Sequence, residues 1–353
     1  GPQLIADTGN RLRGDFLAAT LDVPAQARSA TSALAGVRRQ APQYASSNTD
    51  SSNYPAESSW LSMVATQGAP GLASAMRAYG YRLCRSNFFP NVGLAWQALR
   101  AVGNESPEAV DYAEAIESGS ITATLAVAEQ SGSWDPALVR AKAIQRRDGW
   151  QLAGEKLFVP GADGADVYFV VARSVAGPSL FAVERFAPGL QVVALSVLDE
   201  TRPLCRVQLS DTPARLVGTE GGGGRLMMGT IDLATTALAG EQVGLIEQSM
   251  SLLAAAGPRD AELADVTLQH VAADALWRRA VNEQATRSPD ASPVAAAAHI
   301  GCSRAAMRAA TVTARLLGPS GDTDALFKRA LSANLLFGGP ALSHERLLER
   351  LGI

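Results

Sequence analysis

The sequence predicts an α+β fold in three parts: an N-terminal helical domain, a middle antiparallel β-barrel or sandwich, and a C-terminal four-helix bundle. Strand-like apolar runs follow one another at residues 121–129, 150–158 and 167–173. Turn signals separate them at Asp148-Gly149 and at residues 161–164, where Gly and Asp accept the backbone angles of tight antiparallel connections. Helical patterning lies on both sides of this region.

Composition places the chain among ordinary globular proteins. It has 353 residues, of which 47% are hydrophobic and 18% charged, enough for a large core. The net charge of −3 leaves no basic surplus to attract nucleic acid. No apolar run reaches the roughly 20 residues that span a bilayer, and no signal segment is apparent. Three widely spaced cysteines fit a reducing compartment and form no zinc pattern, so we expect a cytoplasmic protein without a metal site.

The N-terminal domain is predicted to cover residues 1–118. Helical patterning appears between residues 3 and 45, and a polar Ser/Asn-rich loop follows at 44–55. Ser106-Pro107 is a strong helix start, because Ser caps the first turn and Pro suits its first position. The other helices of this domain are predicted at 60–67, 72–83 and 92–102.

The middle β domain is predicted at residues 119–220 and the helical bundle at 225–353. The four glycines at 221–224 are interpreted as a flexible connector, since no Lys-Ser/Thr follows them to make a phosphate cradle. The remaining strands are predicted at 179–185, 190–197, 204–209 and 214–217. The bundle helices are predicted at 226–255, 262–281, 293–317 and 325–335, with a last turn at 344–351.

Four segments resemble motifs of the acyl-CoA dehydrogenase family, in family order. Residues 128–135, AEQSGSWD, resemble its T-E-P-x-G-S-D loop, and residues 149–160 resemble G-x-x-L-x-G-x-K-x-x-I-T. Residues 166–173 are similar to A-D-x-x-x-V-x-A-R, and residues 198–203 to the L-D-x-T-R segment of actinobacterial members. The resemblance implies this family's fold, a flavin cofactor (FAD), an acyl-CoA or acyl-carrier substrate, and assembly into dimers or tetramers.

The reaction implied by the resemblance is α,β-dehydrogenation of an acyl thioester, which needs a carboxylate base. The family has two positions for that base. One corresponds to Asp324, which is one methylene shorter than the usual Glu; the other corresponds to Ala234, which has no acidic group. Asp324 also suits the start of the helix 325–335 as a capping residue, so catalysis and capping remain open alternatives.

The flavin ring is expected to lie against the loop that ends at Trp134. The resemblance assigns cofactor contacts to Val127, Ala128, Ser133, Trp134, Phe158 and Pro160. Ala128 replaces the family's Thr, and Pro160 replaces a hydroxyl near flavin N5. The family's motifs for the dinucleotide tail, R-x-Q-F-G and H-G-G-x-G, are not retained. The chain is therefore expected to cover a flavin ring and to hold the tail poorly.

These departures predict one subunit of a heteromeric, FAD-dependent acyl-CoA dehydrogenase, in which a related chain supplies the base. Family members of this kind serve steroid side-chain degradation. The alternative is a homo-oligomer that kept the fold and lost the redox reaction, acting on a carrier-bound or natural-product substrate. A third option is an active homomer with Asp324 as base. Glu241 lies in a segment that resembles the family's A-x-E-x-x-G helix, which implies a buried carboxylate with a partner. His270 and His299 are predicted to be packed or interface residues rather than catalytic ones.

Overall fold

The computed structural model describes residues 57–103, 106–257 and 260–351. The helices predicted between residues 3 and 45 and the loop at 44–55 lie outside these ranges. Within them, helices come first, a β-sheet follows and helices return, as the sequence predicts. No helix in the described ranges is both long and apolar enough to cross a membrane.

The first helices pack around an aromatic core. They are α1 (Glu57–Gln67), α2 (Ala69–Arg82), a π-helical segment (Phe89–Trp96) that runs on into α3 (Gln97–Val102), and α4 (Pro107–Glu117). The predicted start of α4 is confirmed, since the Ser106 hydroxyl accepts a hydrogen bond from the Ala109 backbone N–H at 3.3 Å. Tyr79 stacks on Phe88 with ring centroids 5.1 Å apart.

The middle unit is a sheet that closes on itself. Its strands pair around a ring in the order β4, β2, β3, β7, β5 and back to β4, with β1 beside β4 and β6 beside β7. Two pairs are parallel, β4 with β1 and β4 with β2, and the other pairs, including β4 with β5, are antiparallel. The strands are β1 (Ala123–Ala126), β2 (Lys142–Arg146), β3 (Gly149–Pro160), β4 (Val167–Ser174), β5 (Gly177–Glu184), β6 (Leu190–Ala194) and β7 (Leu204–Val217).

Three details of the sheet differ from the prediction. The sequence did not mark β2, although its hairpin with β3 turns at the predicted Asp148-Gly149, where Gly149 has φ 124°. The expectation that residues 161–164 close an antiparallel pair is wrong, because β3 and β4 are not neighbours. The two strands predicted at 204–217 are one strand, since Asp211 at φ 49° lets an extra residue bulge out without ending it.

The C-terminal helices are organised around α5 (Gly223–Ala255), which packs against the first helices as well as the bundle. Gly244 lets two helices touch at the backbone: a Cβ there would lie 2.1 Å from the Arg77 carbonyl oxygen on α2. The other helices are α6 (Asp260–Ala285), α7 (Ala291–Leu317), α8 (Gly321–Leu335) and α9 (Gly339–Leu351).

The glycine run before α5 is not a flexible connector. The Gly221 backbone N–H donates to the Ser179 hydroxyl at 2.8 Å, and α5 begins within the run at Gly223. A Cβ on Gly223 would lie 2.7 Å from the Pro178 carbonyl oxygen. These glycines therefore permit a close approach between the start of α5 and β5, which is a packing requirement that a run of glycines in a sequence does not reveal.

Candidate functional site

The predicted cofactor contacts centre on residues 127–134, which we call the cofactor loop. The loop leaves β1 and lies along β3. Val127 and Ala128 are each 1% exposed, and the Ala128 carbonyl accepts a hydrogen bond from the Leu157 backbone N–H at 2.9 Å. The start of the loop thus presents little side-chain surface and is held by the backbone of the neighbouring strand.

A buried ion pair underlies the cofactor loop. Lys156 is fully buried, and its ammonium donates to the Glu129 carboxylate at 2.8 Å and to the Val127 carbonyl at 3.1 Å. The same carboxylate accepts the backbone N–H groups of Arg140 and Ala141 at 2.9–3.0 Å. Burial lowers the pKa of Lys156 to about 8. Although partial burial opposes it, Lys156 holds the pKa of Glu129 below its ordinary value.

Phe158 is the aromatic side chain that this region presents outward. It is 40% exposed and has φ 57°, an uncommon backbone conformation for a bulky residue, at an irregularity in the pairing of β3 with β7. Gly132 lies beside its ring, since a Cβ on this glycine would be 3.8 Å from it. Pro160 is buried, and its carbonyl accepts the Thr124 hydroxyl at 2.6 Å.

Trp134, by contrast, points into the protein. It is 2% exposed and meets Phe337 edge-on, with ring centroids 4.8 Å apart. Phe337 lies in the link between α8 and α9 and has φ 61°. Ser133 is 9% exposed, and its hydroxyl accepts the Asp135 backbone N–H at 3.1 Å. The end of the cofactor loop therefore docks on the helical bundle.

Asp324 is exposed and paired within its own helix. It lies in the first turn of α8, and its side chain is 59% exposed and paired with Lys328 at 2.7 Å. The contact of Trp134 with Phe337 lies just beyond the other end of α8, about 18 Å along the helix from Asp324 at 1.5 Å per residue. The capping alternative is wrong in its detail, because Ser320 caps α8 in a capping box with Thr323. Catalysis by Asp324 stays a prediction.

Ala234, at the family's other base position, is fully buried on α5. Of the family's two base positions, only that of Asp324 carries a carboxylate, and this carboxylate is paired with Lys328.

Glu241 is buried with partners, as expected. It is fully buried on α5 and binds two arginines, Arg202 at 2.6 Å and Arg329 of α8. Arg329 also donates to the Thr201 hydroxyl at 2.9 Å and lies 3.9 Å from Asp199. Sequence reasoning missed this cluster, although the L-D-x-T-R resemblance marked three of its members, Asp199, Thr201 and Arg202. The cluster ties the segment between β6 and β7 to the bundle.

Of the two histidines predicted to be packed or at an interface, His299 is buried and His270 is half-buried. His299 is 1% exposed, and its Nδ1 lies 3.1 Å from Gln242 Nε2. Burial lowers its pKa to about 4. His270 lies 3.0 Å from Glu247, which also binds Arg77.

These residues fit the ring of a flavin better than its tail. Phe158 offers an exposed aromatic face beside a glycine, which is suited to a flat ring. Trp134 packs edge-on against Phe337 and brings no positive charge for a phosphate. Val127 and Ala128 contribute backbone rather than side chains. Contacts of all six predicted residues with a cofactor remain predictions.

Comparison with a family model agrees with the resemblance. Residues 124–212 match the model described as acyl-CoA dehydrogenase, middle domain. An acyl-CoA dehydrogenase of Bacillus subtilis (strain 168) is 25% identical over 158 residues, which are 42% of this chain and 41% of that protein. The match thus spans about two fifths of that relative's length.

Solved structures with the same fold cover most of the chain. The Tcur3481-Tcur3483 steroid ACAD has a TM-score of 0.71 at 22% identity, over 86% of this chain and 91% of that one. The ChsE4-ChsE5 complex from Mycobacterium tuberculosis has a TM-score of 0.70 at 21% identity, over 81% of each chain. Butyryl-CoA dehydrogenase from Megasphaera elsdenii has a TM-score of 0.72 at 18% identity, again over 81% of each. At these identities the likeness establishes the fold.

Proposed function

We propose that this chain, which has the acyl-CoA dehydrogenase fold and the middle domain of that family, is one subunit of a heteromeric, FAD-dependent acyl-CoA dehydrogenase. In this assembly a related chain supplies the catalytic base and holds the dinucleotide tail. The present chain contributes the cofactor loop and the outward face of Phe158. The substrate is an acyl thioester of coenzyme A or of a carrier protein.

The state of the family's two base positions in this chain is the observation that carries the proposal. Removing the weakly acidic α-proton of a thioester requires a carboxylate held at hydrogen-bonding distance. At these two described positions, Ala234 has no acidic group, and Asp324 is exposed and paired with Lys328 in the first turn of α8. Bound flavin would accept the β-hydrogen as hydride but could not replace the base.

Assembly with an unlike chain is also consistent with the known structures that this fold resembles. Two of them are named for paired chains, Tcur3481-Tcur3483 and ChsE4-ChsE5.

The visible absorption spectrum of the purified chain, with its native mass from light scattering, tests the proposal. We expect a colourless protein alone, and a yellow complex when it is co-expressed with a related acyl-CoA dehydrogenase chain from the same organism. Adding an acyl-CoA without oxygen should then bleach the flavin. A chain that binds one flavin per subunit by itself would contradict the proposal.

The variant Asp324→Asn separates the remaining alternatives. In the heteromer we expect bleaching at the wild-type rate, because Asp324 is not the base. If a yellow homo-oligomer loses bleaching on this substitution while keeping its fold, the active homomer with Asp324 as base is correct. A protein that stays colourless with and without the related chain favours the other alternative. In that alternative, a homo-oligomer keeps the fold but carries out a non-redox reaction on a carrier-bound or natural-product substrate.

A further inference from the structure

The side chain of Lys156 holds the cofactor loop at two points. The Lys156 ammonium donates to the Val127 carbonyl at the start of the loop and to the Glu129 carboxylate two residues later. Glu129 in turn joins the loop to the segment before β2, through the backbone N–H groups of Arg140 and Ala141. Removing the ammonium would therefore release contacts on both sides of the loop.

The buried position of Lys156 is unusual for an amine. Its side chain is fully buried, whereas Glu129 keeps 15% of its own exposed. A buried ammonium is tolerated only where an opposite charge and hydrogen-bond acceptors replace its water. Glu129 is the charged group that acts on Lys156, while Arg140 and Ala141 contribute only backbone N–H groups to the pair.

We propose that Lys156 is the positioning residue of the cofactor loop: its ammonium sets the conformation of residues 127–134 and thereby the affinity of the assembly for flavin. The part that concerns flavin rests on the proposed function. The part that concerns the loop does not, because the contacts of Lys156 exist in the chain itself. Phe158 follows Lys156 by two residues on β3, so the same anchor fixes the aromatic face next to the loop.

Hydrogen exchange of the chain without cofactor tests the anchoring directly. The reporters are four backbone N–H groups that donate hydrogen bonds to Glu129 or Ala128 of the cofactor loop, those of Gly132, Leu157, Arg140 and Ala141. We expect Lys156→Met to speed their exchange roughly tenfold or more, the scale of losing a charged hydrogen bond, with β4 and β5 unaffected. Unchanged reporters, or exchange raised evenly over the barrel, would overturn the proposal.

Lys142→Met is the matched control, because Lys142 is an exposed lysine on the neighbouring strand β2. This control should keep the wild-type protection of the reporters. Equal exchange in the two variants would contradict the anchoring.

Titration of the co-expressed complex with FAD completes the test. We expect weaker FAD binding in Lys156→Met than in Lys142→Met. Equal FAD affinity in the two variants would overturn the link between the anchor and the cofactor. If the complex binds no FAD but the exchange results hold, the proposed function fails while the positioning role of Lys156 stands.

Discussion

Replacing Glu241 with Gln should destabilise the protein strongly, because the substitution leaves two buried arginines without their shared carboxylate. Glu241 is fully buried between Arg202 and Arg329, which are 6% and 7% exposed. With Asp199, these groups form a cluster of zero net charge, which the substitution changes to +1. The amide has the shape of the carboxylate but turns a donor toward guanidinium N–H groups.

The expected loss is about 3–5 kcal/mol in the free energy of unfolding, as found when one partner of a buried ion pair is removed. Domains are commonly stable by only about 5–15 kcal/mol, so the change is large. Denaturant unfolding followed by circular dichroism measures it, with an unchanged slope showing that the same surface unfolds.

Asp265→Asn is the matched control for Glu241→Gln. It also converts a carboxylate to an amide, but in a pair with Arg308 whose side chains are 42% and 60% exposed. Such surface pairs contribute about 0–1 kcal/mol. If Glu241→Gln costs no more than Asp265→Asn, the reasoning that the buried cluster holds the β unit to the bundle is refuted.

Three other perturbations have outcomes that the structure sets. Gly244→Ala should destabilise the protein by about 1–3 kcal/mol or more, because the new methyl group would overpack against the Arg77 backbone. Gly229→Ala on the same helix has open space around it and should stabilise the protein by up to about 1 kcal/mol. Thermal melting of the two variants measures both effects. For His299, the unfolded chain binds a proton near pH 6.5 and the folded chain only near pH 4. Stability should therefore fall by about 3 kcal/mol as the pH drops through that window. His299→Asn should remove this part of the pH dependence in denaturant titrations, and an unchanged profile would contradict it. Asp324→Asn should leave both folding and flavin bleaching intact, because its pair with Lys328 is exposed; a loss of bleaching alone would restore Asp324 as the base.

Local signals in the sequence determined the parts of the fold that depend on a few neighbouring residues. Ser106-Pro107 starts a helix, and Asp148-Gly149 turns a hairpin, because a side-chain cap and a positive φ are properties of the residues themselves. The order of helices, sheet and helices follows from hydrophobic periodicity, and the motifs at 128–135 and 149–160 located the cofactor loop. The same reasoning expected a buried, partnered Glu241, since a carboxylate in an apolar helix needs an opposite charge.

Tertiary structure alone decided which distant residues meet. Pairing of β4 with β1 and β2, rather than with β3, depends on how the barrel closes and leaves no mark on the turn at 161–164. Arg202 and Arg329 bind Glu241 from other elements of the fold. Trp134 is buried because it packs against Phe337, which is distant in the sequence. The length of α8 likewise separates Asp324 from the contact between Trp134 and Phe337. Contacts between residues far apart in the chain depend on packing, which no local pattern records.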